Sequence, residues 1–175
     1  MRVGRYCNIR PLEAGDEPHL YALTTSPGAQ VSWRFRTRQP TVREFVESLW
    51  NGVLHQVVVL EGGAVRGHVI AYNPDLTAGW CYLAVLAHDE LPRGVVVEAA
   101  GMFLAELFDR WPLRKVYFEA DSLNLGAIGQ GVASFADEVG VFPKHVFRGG
   151  EFRDVSVYQI TRERFDDQIR PLLSP

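Results

Sequence analysis

Short β-branched runs alternate along the chain with stretches whose apolar residues recur at helical spacing. "YCNIRPL" reads as a brief strand ended by Pro11. "EAGDEPHLYALTTS" predicts a helix, with Leu20 and Leu23 on its inner side and Asp16 and Glu17 near its start. The proline-bounded, arginine-rich stretch "PGAQVSWRFRTRQP" reads as a loop. Thr41 followed three residues later by Glu44 makes a capping box for "VREFVESLW", whose Val42, Phe45, Val46 and Leu49 share one helical face. "QVVVL", "EGGA" and "VRGHVIAY" together read as a hairpin with a Gly-Gly turn. "GWCYLAVL" is the next strand; its apolar residues do not alternate, which predicts burial on both faces.

"GVVVEAAGMFLAELFDRW" has helical period, with Val96, Ala100, Phe103 and Leu107 as the inner stripe and Glu98, Glu106 and Asp109 near the other face. Pro112 closes it. "RKVYFEAD" alternates: Val116, Phe118 and Ala120 face one way, Tyr117, Glu119 and Asp121 the other. "SLNLGAIGQGVASFADEVG" reads as a weaker helix, interrupted by Gly126, Gly129 and Gly131 and ending at Gly140. "FPKHVFRG" and "DVSVYQIT" are strands around a Gly-Gly turn, and a short polar helix ends the chain. The order predicts a single α+β domain over residues 1–175, a mixed sheet with helices on both faces.

Composition narrows the function classes. With 47% hydrophobic residues the chain can bury a core without disulfide or metal staples. A formal net charge of −3 argues against a nucleic-acid binder. Cys7 and Cys81 lack metal-ligand spacing and read as reduced core thiols, so no metal is expected. No apolar run reaches the roughly 18 residues of a membrane span. The N-terminal stretch lacks the apolar core of a secretory signal, and the expected location is cytoplasmic.

Four segments in this order resemble the GNAT acyltransferase superfamily, most closely the branch containing ribosomal-protein-alanine N-acetyltransferases. They are "NIRPLEAGDEPHLYAL", "GWCYLAVL" followed by "RGVVVEAAGMFLAELF", "LRKVYFEADSLNLGAI" and "DEVGVF". The last resembles the end of a helix and its turn into the final strands. The resemblance implies a twisted, mostly antiparallel sheet whose fourth and fifth strands splay apart, with acyl-CoA wedged between them. Successive backbone N–H groups at a helix start would then meet the pyrophosphate, helped by the helix dipole.

Two departures from the family pattern bear on the chemistry. The (Gln/Arg)-x-x-Gly-x-(Gly/Ala) motif becomes Leu91-Pro92-Arg93-Gly94-Val95-Val96, which keeps the middle glycine but loses one N–H donor at Pro92. Backbone donors from Arg93 through Val97, Gly94, Val95 and Val96 among them, remain for a cradle, and the Arg93 side chain adds a charge; the alternative is an ordinary helix N-terminus. Leu83 and Val85 are the strand residues expected along the acyl-pantetheine, with the backbone N–H near Val85 polarising the thioester carbonyl. Asn124 corresponds to the asparagine that commonly opens the following helix. The second departure concerns the hydroxyl that protonates the leaving thiolate. Ala127 and Ala136 occupy its usual positions; Ser134 is either the substitute or an ordinary helical serine. For the base, Glu119, Asp121 and His88 are the candidates, each with a solvated charge as the alternative.

Arg34, Arg36 and Arg38, interleaved with Trp33 and Phe35, form the one concentrated basic cluster, either a solvated loop or a contact for an acidic partner. The implied activity is acetyl transfer from acetyl-CoA to a primary amine by direct attack in a ternary complex. The acceptor would be a small molecule or a peptide. The alternatives are an acyl group carried on a carrier protein's phosphopantetheine, or a non-catalytic binding protein on the same scaffold. Homodimers through strand edges are a further family expectation.

Overall fold

The computed structural model describes residues 1–26, 38–122 and 135–173. Its strands are β1 (Arg2–Val3), β2 (Asn8–Pro11), β3 (Val53–Glu61), β4 (Ala64–Asp75), β5 (Trp80–Ala87), β6 (Lys115–Asp121), β7 (Asp137–Arg148) and β8 (Glu151–Thr161). Its helices are α1 (Glu17–Thr24), α2 (Val42–Ser48) and α3 (Arg93–Arg110), with a C-terminal turn at Arg162–Arg164 that widens into π-helical geometry over Phe165–Ile169. The strands form one sheet in the order β1-β2-β3-β4-β5-β6-β8-β7. Every neighbouring pair is antiparallel except β5 and β6. That is the mixed α/β architecture expected.

Local chemistry explains the elements. Gly62 (φ +58) and Gly63 (φ +85) turn the β3–β4 hairpin, and Gly149 and Gly150 repeat this between β7 and β8. Two successive left-handed residues match the twist of the flanking strands, which is why Gly-Gly serves there. The Thr41–Glu44 capping box at the start of α2 is complete. Arg10 holds the buried Asp16 carboxylate through two hydrogen bonds of 2.7 and 2.9 Å, fixing the entry to α1.

The main core lies between the sheet and α3. Val95, Ala99, Met102, Phe103, Leu107 and Phe108 pack on Val57, Val69, Cys81, Leu83 and Val116. The inner stripe is thus centred on Val95 and Ala99, rotated from the expected Val96 and Ala100, which are only half buried. The reason is a second cover: Phe165 and Ile169 of the C-terminal segment close over α3, so its later turns are buried nearly all round. That segment is consequently not the polar tail the sequence suggested.

Three further expectations are corrected. On α2 only Phe45 and Leu49 are buried, whereas Val42 and Val46 are 58% and 40% exposed, because the helix touches the sheet along a narrow line. The helix expected to end at Gly140 has already given way to β7 at Asp137, so "DEVGVF" lies within a strand. Asp137, Glu138 and Gly140 pair with Gln159, Tyr158 and Val157 of β8, with Val139 as an extra residue at a register shift. Strand β5 is buried on both faces only towards its end, where Leu86 packs under Leu23 of α1; earlier on that face Trp80, Tyr82 and Ala84 are half open.

Candidate functional site

Strands β5 and β6 run parallel and pair only at Trp80–Lys115, Cys81–Val116 and Tyr82–Tyr117. Beyond that point each strand stays with its outer neighbour. β5 follows β4 as far as the Ala87–Gly67 pair, and β6 follows β8 as far as Asp121–Val155. The two therefore part after Tyr82 and Tyr117. Main-chain groups of β5 that point towards β6 beyond Tyr82 have no strand partner among the described residues. The closed end is locked by the Gly79 carbonyl, which accepts from the Arg114 and Lys115 N–H groups at 2.7 and 3.3 Å.

Helix α3 begins at Arg93, soon after β5 ends. Pro92 caps it with no side-chain hydrogen bond, and its first turn holds no acidic residue. An 18-residue helix with such an end presents the positive pole of its dipole with no acidic residue in its first turn. Gly94 is exposed, and a Cβ built there would meet nothing within 4 Å. Val95 and Val96 both donate to the Pro92 carbonyl, at 2.9 and 3.3 Å, which tightens the first turn. Val95 is buried and Val96 half buried, both packed in the α3 core. Leu83 and Val85 lie on the α3 side of β5 in the same core.

The opposite face of the sheet carries aromatic rings. Tyr82 lies 5.7 Å from Tyr117 and 5.7 Å from Tyr72, centroid to centroid, and Trp80 stands edge-on to Tyr82 at 5.9 Å. An open concavity of about 490 Å³ is lined by Trp80, Tyr82 and Tyr117 on one side and by the Val139–Phe142 stretch of β7 on the other, with Val157. Glu119 follows Tyr117 on this face, two residues past the last β5–β6 pair, and is half buried. Burial pushes the Tyr82 phenol above its ordinary value, and the Glu119 carboxylate and Tyr117 push it further.

The other expected residues fall out differently. His88 is exposed beyond the end of β5, its N–H donating to the Arg66 carbonyl at 2.9 Å and its ring 3.9 Å from Glu90. Asp121 is buried 2.6 Å from the equally buried Arg148. It ties the end of β6 to the β7–β8 hairpin, a structural ion pair. Arg38 pairs with Glu44 at 2.9 Å and so supports the α2 cap. Ala136 is buried in the main core. Ser134, Asn124, Ala127, Trp33, Arg34, Phe35 and Arg36 lie outside the described residues. Both cysteines are buried and free. No group of side chains with metal-holding geometry occurs among the described residues, and no described helix is long and apolar enough to cross a membrane.

Sequence reasoning missed the aromatic concavity. The available signal was the spacing of Trp80 and Tyr82 on one strand and of Tyr117 and Glu119 on another, which puts each pair on a single face.

No family model matches the chain, and no curated protein matches it. Solved structures do. The chain is similar to spermidine N-acetyltransferase from Vibrio cholerae in complex with CoA and spermine, with TM-score 0.79 and 18% identity over 93% of this chain and 99% of that one. A chimera of that enzyme and hSSAT matches with TM-score 0.78 and 17% identity over 93% of this chain and 99% of that one. A probable acetyltransferase matches with TM-score 0.74 and 16% identity, over 93% of this chain and 97% of that one. The fold is that of the GNAT acetyltransferases.

Proposed function

We propose that the protein is an acetyl-CoA-dependent N-acetyltransferase acting on a primary amine. The observation that carries this reading is the parting of β5 from β6 after Tyr82 and Tyr117, with the uncapped start of α3 beside it. A pantetheine chain can replace the missing strand partner with its own amides, and the helix start suits a diphosphate. The slot thus offers donors at two places that match the two polar parts of CoA. Shared fold with acetyltransferases, one solved with CoA bound, supports the choice of co-substrate.

In this reading Leu83 and Val85 flank the thioester, and the start of α3 holds the phosphates: the Arg93 and Gly94 backbone donates to them, while Val95 and Val96, whose N–H groups bond the Pro92 carbonyl, shape the first turn, with Asn124 at the following segment. A neutral amine nitrogen attacks the thioester carbonyl carbon, the C–N bond forms, and the C–S bond breaks to release CoA thiolate. Glu119 is the group we assign to take the amine proton, since it sits past the split on the open face. Ser134 is assigned to protonate the thiolate. His88, exposed beside Glu90, serves at most as a relay to solvent.

The acceptor is a small-molecule amine; the neighbour bound to spermine supports that class. A peptide N-terminal amine, as the ribosomal-protein-alanine branch would use, belongs in the same assay. Isothermal titration with acetyl-CoA, followed by thiol release across an amine panel, tests the proposal. Saturable binding below millimolar and amine-dependent thiol release are expected; no binding at millimolar acetyl-CoA sinks it.

A further inference from the structure

Lys115 opens β6 on the face opposite α3, in register with Trp80 of β5 and Thr161 of β8. Two residues further along the same face, Tyr117 pairs with Tyr82, and β5 and β6 separate after that pair. The Lys115 ammonium stands 4.9 Å from the centre of the Tyr117 ring. Two acids that the pairing brings to this face are engaged elsewhere. Asp75 accepts from the Ala78 N–H at 2.8 Å, and Asp137 pairs with Arg164. Among the described residues Lys115 has the ring, and no carboxylate, as its partner.

Of the eighteen basic side chains in the sequence, the lysines are Lys115 and Lys144. Arginine stays protonated, so acyl transfer to a side-chain amine has these two targets. Lys144 is exposed at an irregularity of β7, two strands beyond β6. Lys115, half buried, lies at the apex of the split. Residues two apart on a strand are about 7 Å apart, a span that the flexible four-carbon stem of lysine covers without backbone movement. In the transferase reading the thioester lies just past Tyr82 and Tyr117, beside Leu83. A nucleophile held next to it gains the rate advantage of proximity. We propose that Lys115 is a self-acetylation site; the proposal rests on the transferase reading. The neutral Nζ attacks the thioester carbonyl carbon, the C–N bond forms and the C–S bond breaks. The proton lost by nitrogen ends on the departing thiolate, so the products are acetyl-lysine and CoA thiol. The modified side chain carries no charge and loses its electrostatic attraction to the Tyr117 ring.

The second lysine makes the test internally controlled. The protein is incubated with acetyl-CoA and no added amine, digested, and followed by mass spectrometry at Lys115 and Lys144. Acetyl-CoA reacting from solution favours the more exposed amine, Lys144. Transfer within the split should instead acetylate Lys115 at least tenfold faster. The Lys115 rate should saturate at the acetyl-CoA Kd found by calorimetry, fall when CoA is added, and be independent of protein concentration. The Lys144 rate should rise linearly with acetyl-CoA and ignore added CoA. Lys115→Arg keeps the positive charge and should abolish the fast phase while leaving the Lys144 rate unchanged. Acetylation of Lys115 no faster than of Lys144 overturns the proposal. So does a Lys115 rate per molecule that rises with protein concentration, which would mean transfer between copies.

Unfolding supplies a control that needs no variant. In urea the two lysines should react at similar, slow rates; a Lys115 preference that survives unfolding would come from local sequence and overturns the proposal. The two readings fail separately. If acetyl-CoA binds and added amines release thiol while Lys115 stays unmodified at full occupancy, self-acetylation falls and the transferase reading stands. If acetyl-CoA does not bind at millimolar concentration, the transferase reading falls and self-acetylation falls with it.

Discussion

Tyr82 on β5 stands opposite Tyr117 on β6, their ring centroids 5.7 Å apart, and no pair follows them between these strands. The same two rings thus mark the apex of the split on one face of the sheet. Below them the strands are held together by short main-chain bonds to Gly79, and above them each is committed to a different antiparallel ladder. The opening is built into the sheet's pairing.

The Gly79 lock is the first place to test. Its φ is +74, and an added Cβ would lie 3.2 Å from the Pro112 carbonyl and from the Arg114 side chain. Gly79→Ala should cost roughly 1–3 kcal/mol from the left-handed backbone alone, with more from the main-chain contact. Urea unfolding monitored by circular dichroism checks this; an unchanged midpoint would show that the closed end is not a stress point.

At the other end of the slot, Gly94→Glu separates stability from binding. A carboxylate in the first turn of α3 interacts favourably with the helix dipole, by about 0.3–1 kcal/mol. The same charge repels a diphosphate. The expected result is an unchanged or slightly higher Tm together with at least a tenfold rise in the acetyl-CoA Kd. If Tm and affinity fall together, the variant is merely misfolded; if affinity does not move, the helix start is not the phosphate cradle.

Glu119→Gln keeps the shape of the side chain and removes its basicity. General-base catalysis contributes about 10²–10⁴-fold to rate, so kcat should fall by about 10² or more. Acetyl-CoA affinity should be unaffected, since Glu119 lies on the opposite face from α3. Raising the pH supplies neutral amine from solution and should recover part of the loss. A variant that keeps full kcat at neutral pH would remove Glu119 from the chemistry.

The elements were legible in the sequence wherever a local signal was strong. The Thr41–Glu44 box, the two Gly-Gly hairpins and the alternation of Val116, Phe118 and Ala120 against Tyr117 and Glu119 all appear as expected. What local pattern could not reveal was tertiary cover. Phe165 and Ile169 closing over α3 rotated its buried stripe, and pairing with β8 drew Asp137–Gly140 into a strand. The split was expected from the resemblance, but its aromatic floor was not, because Tyr82 reads as one more apolar residue in "GWCYLAVL" until its face is known. Asp121 likewise reads as an acid near the split, and only the fold brings Arg148 to it.

Both thiols should be silent in the folded protein. Burial, a hydrogen bond to Glu98 and the Glu98 charge push the Cys7 thiol up to about 12, and burial alone does the same for Cys81. The thiolate is the reactive form. Ellman's reagent at pH 8 should therefore report no thiol until denaturant is added, and then both of the two cysteines. Fast labelling of one equivalent in native buffer would contradict the burial. The same blank background makes thiol release from CoA easy to follow.

Glu98 links the N-terminal turn to α3 and gives a prediction with a definite sign. Its carboxylate accepts from the N–H groups of Arg5, Tyr6 and Cys7 at 2.7, 2.8 and 3.0 Å. Burial raises its pKa, but these three bonds and the Cys7 thiol outweigh that and hold it below the ordinary 4.5. A depressed folded-state pKa means the contribution is complete above 4.5 and is lost as pH falls through the lower folded value. Glu98→Ala strands the partly buried Cys7 amide, whereas the exposed Arg5 and Tyr6 amides can turn to water, so the cost should lie in the lower half of roughly 1–3 kcal/mol at pH 7. Urea midpoints at pH 7 and pH 3 should then differ less in the variant than in the parent, because one carboxylate no longer titrates on unfolding. Asp16 and Glu44 are depressed in the same direction and remain in both proteins, so a residual acid-side loss is expected in each. An acid-side loss of equal size in parent and variant would mean that the three amide bonds do not hold Glu98 in its charged form.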